Sequence, residues 1–150
     1  MMPMYKLLAT GFGIGYFGKG GGTIAAAVCC IAWYISRAGS WGWWIILITL
    51  AVLALGVWCA SMVEREWGID SSRVVIDEIA GMGVSLLLLP VTIPYLALGF
   101  VLFRFFDIVK PFFIRKLEEL PGGWGVMMDD VLAGLYTNVI LQLIYHFQLL

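Results

Sequence analysis

Long apolar runs, broken by short polar or Gly/Pro-rich punctuation, recur along this chain from Thr23 to its C-terminus. The longest, Trp41 to Val63, carries no charge over 23 residues. As a helix it is about 34 Å long, enough to cross the hydrocarbon core of a bilayer. Trp41, Trp43 and Trp44 at its start read as an interfacial belt. Thr23 to Ser36 is a shorter run closed by Arg37 and Gly39, placed to pair with the first as a helical hairpin. Val74 to Leu89 and Tyr95 to Val109 follow, separated by Pro90-Val-Thr-Ile-Pro94, whose two prolines predict a turn. A last span starts near Asp129 and runs to Leu150, entered after the Gly/Pro-rich stretch Pro121 to Gly125. The pattern predicts an all-α, single-domain membrane bundle of about five short transmembrane helices. Phe112 to Leu120 alternates apolar and charged positions at roughly helical spacing. It suits either a short helix in the headgroup region or an ordinary loop helix.

Composition agrees with a membrane setting. The chain is 62% hydrophobic and 13% charged, with a mean hydropathy of +0.97, whereas a soluble domain is about 45–50% apolar. A net charge of −1 removes the basic footprint that nucleic-acid binding needs. Cys29, Cys30 and Cys59 are odd in number, lie in apolar runs and have no CxxC spacing, so they read as small core residues rather than a disulfide framework or a zinc site. The N-terminus has no long apolar stretch of the signal-peptide kind, so the mature chain is expected to begin at Met1. No feature specifies a protein partner, and a homo-oligomer is left open.

Threading the spans alternately puts Lys6, Lys19, Arg65, Arg73, Arg104, Lys110, Arg115 and Lys116 on one side and Arg37 alone on the other. The positive-inside rule makes the first side cytoplasmic. All ten carboxylates, Glu64 through Asp130, fall on that same side, although acidic residues contribute little to orientation. Their placement therefore asks for a functional reason.

Asp77 and Glu78 lie about one turn inside the third predicted span, and Asp107 lies with Arg104 in the fourth, where charges are costly. Asp77 stands 13 residues before Pro90 and Asp107 stands 13 residues after Pro94. In an antiparallel hairpin both are then about 20 Å from the bend, at one depth. Asp129 and Asp130 open the last span from the same side, so four or five carboxylates converge. Ion pairs with Arg104 and Lys110, protonation, or a hard divalent cation are the three ways to relieve their repulsion. The acids outnumber the nearby bases, which favours the cation. A salt-bridge network that only anchors helix ends is the alternative.

Asp77-Glu-Ile-Ala-Gly81 and Asp130-Val-Leu-Ala-Gly134 share an Asp-x-x-x-Gly pattern with Ala before Gly. Small residues allow close helix approach in membranes, so this echo predicts contact between the third and fifth spans beside their acids. Gly13 to Gly18 satisfies GxGxxG, but a dinucleotide fingerprint needs a βαβ unit and a P-loop needs Ser or Thr after its Lys, where Gly20 stands here. The surviving reading is local: Gly20-Gly-Gly-Thr23 precedes a helix, with Thr23 as a candidate N-cap and backbone N–H groups free to hold a phosphate. His146 is alone at the far side, and no Ser-His-Asp or Cys-His set accompanies the acids.

These residues resemble the phosphatidylglycerophosphatase A family of bacterial inner-membrane lipid phosphatases. The likeness runs from Leu8-Ala-Thr-Gly-Phe-Gly-Ile-Gly15 through Gly22-Thr23, Asp77-Glu78 with Gly81, and Gly99-Phe-Val-Leu-Phe-Arg104 with Asp107, Lys110 and Pro111. It continues to Gly122-Gly123, Gly125 and Asp129-Asp130 with Ala133-Gly134. Two departures stand out: Gly21-Gly-Thr23 replaces the family's Pro-Gly-Thr, and Ala25-Ala26 replaces a Gly-Ser pair. The resemblance implies Mg²⁺-dependent hydrolysis of the phosphomonoester of phosphatidylglycerophosphate, a phospholipid substrate reached in the bilayer, on the cytoplasmic face of the inner membrane.

On that expectation Asp77, Glu78, Asp129 and Asp130, with Asp107, hold one or two Mg²⁺ ions and supply acid–base chemistry. Arg104, Lys110 and the Gly22-Thr23 backbone clamp the phosphate. Direct water attack and an aspartyl-phosphate intermediate both remain open. A CDP-alcohol phosphotransferase is a rival, but its DxxDGxxAR signature is absent. A small ion transporter is the non-enzyme rival, and it predicts acids spread through the membrane depth, not gathered on one side.

Overall fold

With no water in a bilayer core to satisfy backbone groups, apolar runs must close their hydrogen bonds internally, as helices. A computed structural model of the chain describes residues 2–69 and 71–150. Asp70, one of the ten carboxylates, and the side chain of Trp41, one of the three belt tryptophans, lie outside what is described. Among the described residues there is no strand. The helices are α1 (Met4–Ala9), α2 (Gly21–Ser36), α3 (Trp43–Trp67), α4 (Ile76–Ser85), α5 (Ile93–Val109), α6 (Ile114–Leu117) and α7 (Gly123–His146). Tighter 3₁₀ turns fill Ile14–Gly20 and Ala38–Trp41. Three helical stretches, Met4–Ser36, Trp43–Trp67 and Gly123–His146, are long and apolar enough to cross a membrane. α2, α3, α4, α5 and α7 correspond to the five expected spans.

Three boundaries differ from the sequence expectation. The third span, expected over 74–89, is the ten-residue helix α4, about 15 Å long and half a hydrocarbon core. α4 starts at Ile76, so Asp77 and Glu78 occupy its first turn rather than lying a turn inside it. The last span begins at Gly123, not near Asp129, because glycines let its start press against other backbone. A Cβ on Gly123 would stand 2.8 Å from the Ser61 nitrogen of α3, and one on Gly125 would stand 2.8 Å from the Glu118 carbonyl oxygen. Asp129 and Asp130 are therefore nearly two turns inside α7. The Phe112–Leu120 segment contains only the single turn α6.

α7 is the central element, packed against α3, α4, α5 and α6. Its contact with α4 is the most extensive between helices. A Cβ on Gly81 would stand 2.6 Å from the Asp130 carbonyl oxygen and 2.7 Å from the Phe103 ring, and one on Gly134 would overlap the Gly81 carbonyl. The repeated Asp-x-x-x-Gly pattern thus marks a real helix crossing. Around it Trp33, Ile45, Met82, Leu86, Leu96 and Phe103 form one buried cluster, and Cys59, Val63, Ile76, Ala80 and Met127 form another. Cys29, Cys30 and Cys59 are free thiols, as expected.

Because α4 ends within the bundle, its last carbonyls must find donors there. α7 supplies them: the Asn138 Nδ2 amide donates to the Ser85 and Leu87 carbonyls at 3.1 and 2.9 Å, and the Gln142 Nε2 amide donates to Leu87 at 3.1 Å. Large apolar side chains point outward elsewhere, including Ile31 and Ile35 on α2, Leu47 and Leu50 on α3, and Val139 and Leu143 on α7. Such a surface is suited to lipid and not to water. Trp43 and Trp44 stand exposed at the start of α3, as an interfacial belt requires.

Residues 4–20, 64–69, 71–78 and 104–129 gather at one end of the bundle. The opposite end holds Arg37, Ser40 and Pro90 around one hollow and Pro94, Tyr95 and Tyr145 around another. α1 folds back on α3, where Tyr5 and Lys6 both bond to Glu66. Replacing Asn138 with Leu strands the buried Ser85 carbonyl, while Gln142 still donates to Leu87. The expected loss is about 1–3 kcal/mol, seen as a lower unfolding midpoint in detergent. An unchanged midpoint would remove Asn138 as the cap of α4.

Candidate active site

A polar cavity of 140 Å³ opens at the charged end, where α4, α5 and α7 meet the start of α2. Its lining includes Asp77 and Glu78 from α4, Arg104 and Asp107 from α5, and Asp129 and Asp130 from α7. Lys110, just past α5, and Gly22 of α2 complete the expected set, apart from one residue. That residue is Thr23. α2 starts at Gly21 with Gly20 as its cap and no side-chain capping bond, so Thr23 lies inside the first turn, exposed and away from the cavity. The run of glycines allows helix to begin three residues earlier than the Thr23 N-cap predicted.

Oxygens of Asp77, Glu78 and Asp130 lie within 4.8 Å of one another. Two buried oxygens in this group, Glu78 Oε2 and Asp130 Oδ2, have no hydrogen-bond partner. Asp77 and Glu78 sit in the first turn of α4, where the positive end of the helix dipole favours carboxylates. Glu78 also lies directly over Gly22: a Cβ there would fall inside its carboxylate group. The departure from Pro-Gly-Thr therefore leaves intact the one glycine that this contact requires.

Asp129 diverges from its neighbour. Consecutive helix positions differ by about 100°, so while Asp130 faces α4, Asp129 accepts a 2.6 Å bond from the Lys110 ammonium. Lys110 also pairs with Glu118, and Arg104 pairs with Asp107 one turn along α5. Burial alone would pull the Lys110 ammonium down, but its two carboxylate partners raise it above the ordinary lysine range. Lys110 therefore stays charged. The acids thus divide into a close trio, Asp77, Glu78 and Asp130, and two ion-paired members, Asp107 and Asp129. Hard divalent cations prefer such all-oxygen sets. The trio's unpartnered oxygens give the residues a fit to such an ion.

The cavity also takes in Gly18, Lys19, Ser71, Ser72 and Val74, which the sequence did not single out. A signal was available for Lys19, in the glycine-rich run that nearly fits a P-loop but lacks its Ser or Thr. Ser71 and Ser72 sit in a loop with no motif of its own. His146 is exposed at the other end.

Fold and site define a membrane-embedded helical protein with an acid-rich polar cavity at one end of its bundle. The family model for phosphatidylglycerophosphatase A matches residues 7–145. An Escherichia coli K12 phosphatidylglycerophosphatase A is 33% identical over 97% of this chain and 86% of its own length. A Haemophilus influenzae phosphatidylglycerophosphatase A is 33% identical over 95% of this chain and 90% of its own. A Bacteroides thetaiotaomicron protein, provisionally named a phosphatidylinositol-3-phosphatase, is 39% identical over 90% of this chain and 89% of its own. No solved structure matches. The chain belongs to the phosphatidylglycerophosphatase A family and is a phosphatase.

The Gly22 contact offers a direct test of the site. Gly22→Ala forces the Glu78 carboxylate aside, and displacement of about 1 Å lowers turnover on the order of a hundredfold, with the fold intact by circular dichroism. Gly20→Ala, where no atom lies within 4 Å of the added methyl, should keep near-normal turnover. Equal activity of the two variants would contradict the placement of Glu78.

Proposed function

We propose that this protein hydrolyses the phosphomonoester of phosphatidylglycerophosphate, giving phosphatidylglycerol and inorganic phosphate, with Mg²⁺ as cofactor and at the cytoplasmic face of the inner membrane. The observation that carries the reading is the carboxylate trio from two helices, within 4.8 Å and with unpartnered buried oxygens, in the same cavity as Arg104 and Lys110. Family membership and the two relatives named for this activity support the substrate. The concentration of lysines and arginines at the cavity's end of the bundle supports the cytoplasmic side.

Asp77, Glu78 and Asp130 would hold the ion, with Asp129 in the same cavity but bonded to Lys110. When bound, a divalent ion there supplies Lewis-acid polarisation of phosphoryl oxygens and a more acidic water. The protein's own groups do the rest. Arg104 and Lys110 offset the negative charge that accumulates on the equatorial oxygens. Water attacks phosphorus, the bond from phosphorus to the glycerol oxygen breaks, and a carboxylate of the cavity accepts the water's proton and passes it to the departing glycerol oxygen. Because the cavity lies at the end of the bundle, only the headgroup has to enter it, and the acyl chains stay among the outward apolar side chains.

The Bacteroides relative supports a second reading, hydrolysis of a phosphate from an inositol lipid. Both readings are tested together in mixed micelles. Purified protein should release phosphate from phosphatidylglycerophosphate with Mg²⁺ and stop when the metal is chelated. Asp130→Asn should lower that release at least a hundredfold. Faster release from phosphatidylinositol 3-phosphate would favour the second reading. Full activity after chelation would overturn the metal-dependent mechanism.

A further inference from the structure

The carboxylates occupy only part of the cavity lining, and the two cations among them are already engaged. Arg104 pairs with Asp107, and Lys110 pairs with both Asp129 and Glu118. A phosphate monoester approaching five carboxylates needs hydrogen-bond donors that are not committed elsewhere. The remaining wall consists of Gly18, Lys19 and Gly22 on one segment and Ser71, Ser72 and Val74 on another. No carboxylate belongs to that wall. Its polar side chains are one ammonium and two hydroxyls, and among the described residues no acid pairs with Lys19.

We propose that Lys19, with the Ser71 and Ser72 hydroxyls, is the wall that receives the phosphate of the substrate. The inference rests on the lipid-phosphatase reading above and adds donors beyond the expected Gly22-Thr23 backbone, Arg104 and Lys110.

The local backbone fits this role. Gly18 has φ 74°, a left-handed conformation that a glycine takes without strain, and it turns the chain just before Lys19. The two segments of the wall are locked together. Gly15 packs so tightly on Arg73 that a Cβ would overlap its carbonyl, and the Val75 N–H donates to the Ala9 carbonyl at 2.9 Å. The donors are therefore held in place rather than left on independent loops. Lys19 and Ser72 are exposed, whereas Asp129 and Asp130 are buried. An arriving headgroup thus meets the donors first and the carboxylates after them.

The test is a KM-against-kcat comparison in mixed micelles, with inorganic phosphate as a competitive inhibitor. Lys19→Met should raise KM for phosphatidylglycerophosphate roughly tenfold or more, since it removes a charge-assisted bond. The inhibition constant of inorganic phosphate should rise in parallel, with kcat changed by less than about threefold if the bond serves ground state and transition state alike. Lys19→Arg should restore most of the affinity, and Ser71→Ala with Ser72→Ala should give a smaller loss of the same kind. Lys19 is exposed, so an unchanged unfolding midpoint is expected in each Lys19 variant. Unchanged KM and phosphate inhibition in Lys19→Met would overturn the inference while leaving the lipid-phosphatase reading intact. Wild-type protein that releases no phosphate from either lipid would overturn the reading and the inference with it.

Discussion

The crossing of α4 and α7 at Gly81 and Gly134 is the contact on which the site depends. Each glycine sits one turn from an acid, Asp77 on α4 and Asp130 on α7, and each faces the backbone of the opposite helix with no room for a side chain. The helices approach closely enough that carboxylates from the two enter one small hollow. Glycine there has a packing function first and a chemical consequence second. A larger residue at either position would separate the helices and pull the trio apart.

A second constraint follows from the shortness of α4. A ten-residue helix cannot cross a bilayer, so it brings Asp77 and Glu78 to the charged end and leaves its other end inside the bundle. The carbonyls exposed there accept from Asn138 and Gln142, on the same α7 that carries Asp130. One helix therefore supplies the acid at the top of α4 and the donors at its foot. α7 fixes the depth of α4 as well as its distance, and the ion-paired groups, Arg104 with Asp107 and Lys110 with Asp129, flank the trio without neutralising it.

Much of this was legible in the sequence because membrane helices leave strong signatures. The apolar runs marked the helices, the alternating topology put the bases and acids at one end, and the Asp-x-x-x-Gly echo foretold the crossing. Four features were less legible. The apolar run over 74–89 looked like a full span because hydropathy does not register where a helix stops. Asn138 and Gln142, one turn apart in an apolar helix, were the available signal for that stop. The start of α7 hid in a glycine-rich stretch that resembles a loop but serves close packing on α3. Thr23 looked like a cap because its side chain is suited to one, yet α2 begins at Gly21. The division of Asp129 from Asp130 depends on helix phase relative to Lys110, which spacing alone does not give.

The central claim is that Asp77, Glu78 and Asp130 converge to bind one divalent ion, and direct binding tests it without reference to turnover. Mn²⁺ can stand in for Mg²⁺ as an all-oxygen-ligated ion, and its electron paramagnetic resonance signal reports free metal during titration of the detergent-solubilised protein. The account predicts saturable Mn²⁺ binding, displaced by excess Mg²⁺, that weakens sharply in Asp130→Asn and in Asp77→Asn. Binding of equal strength in the wild type and both variants, or no saturable binding in the wild type, would contradict it.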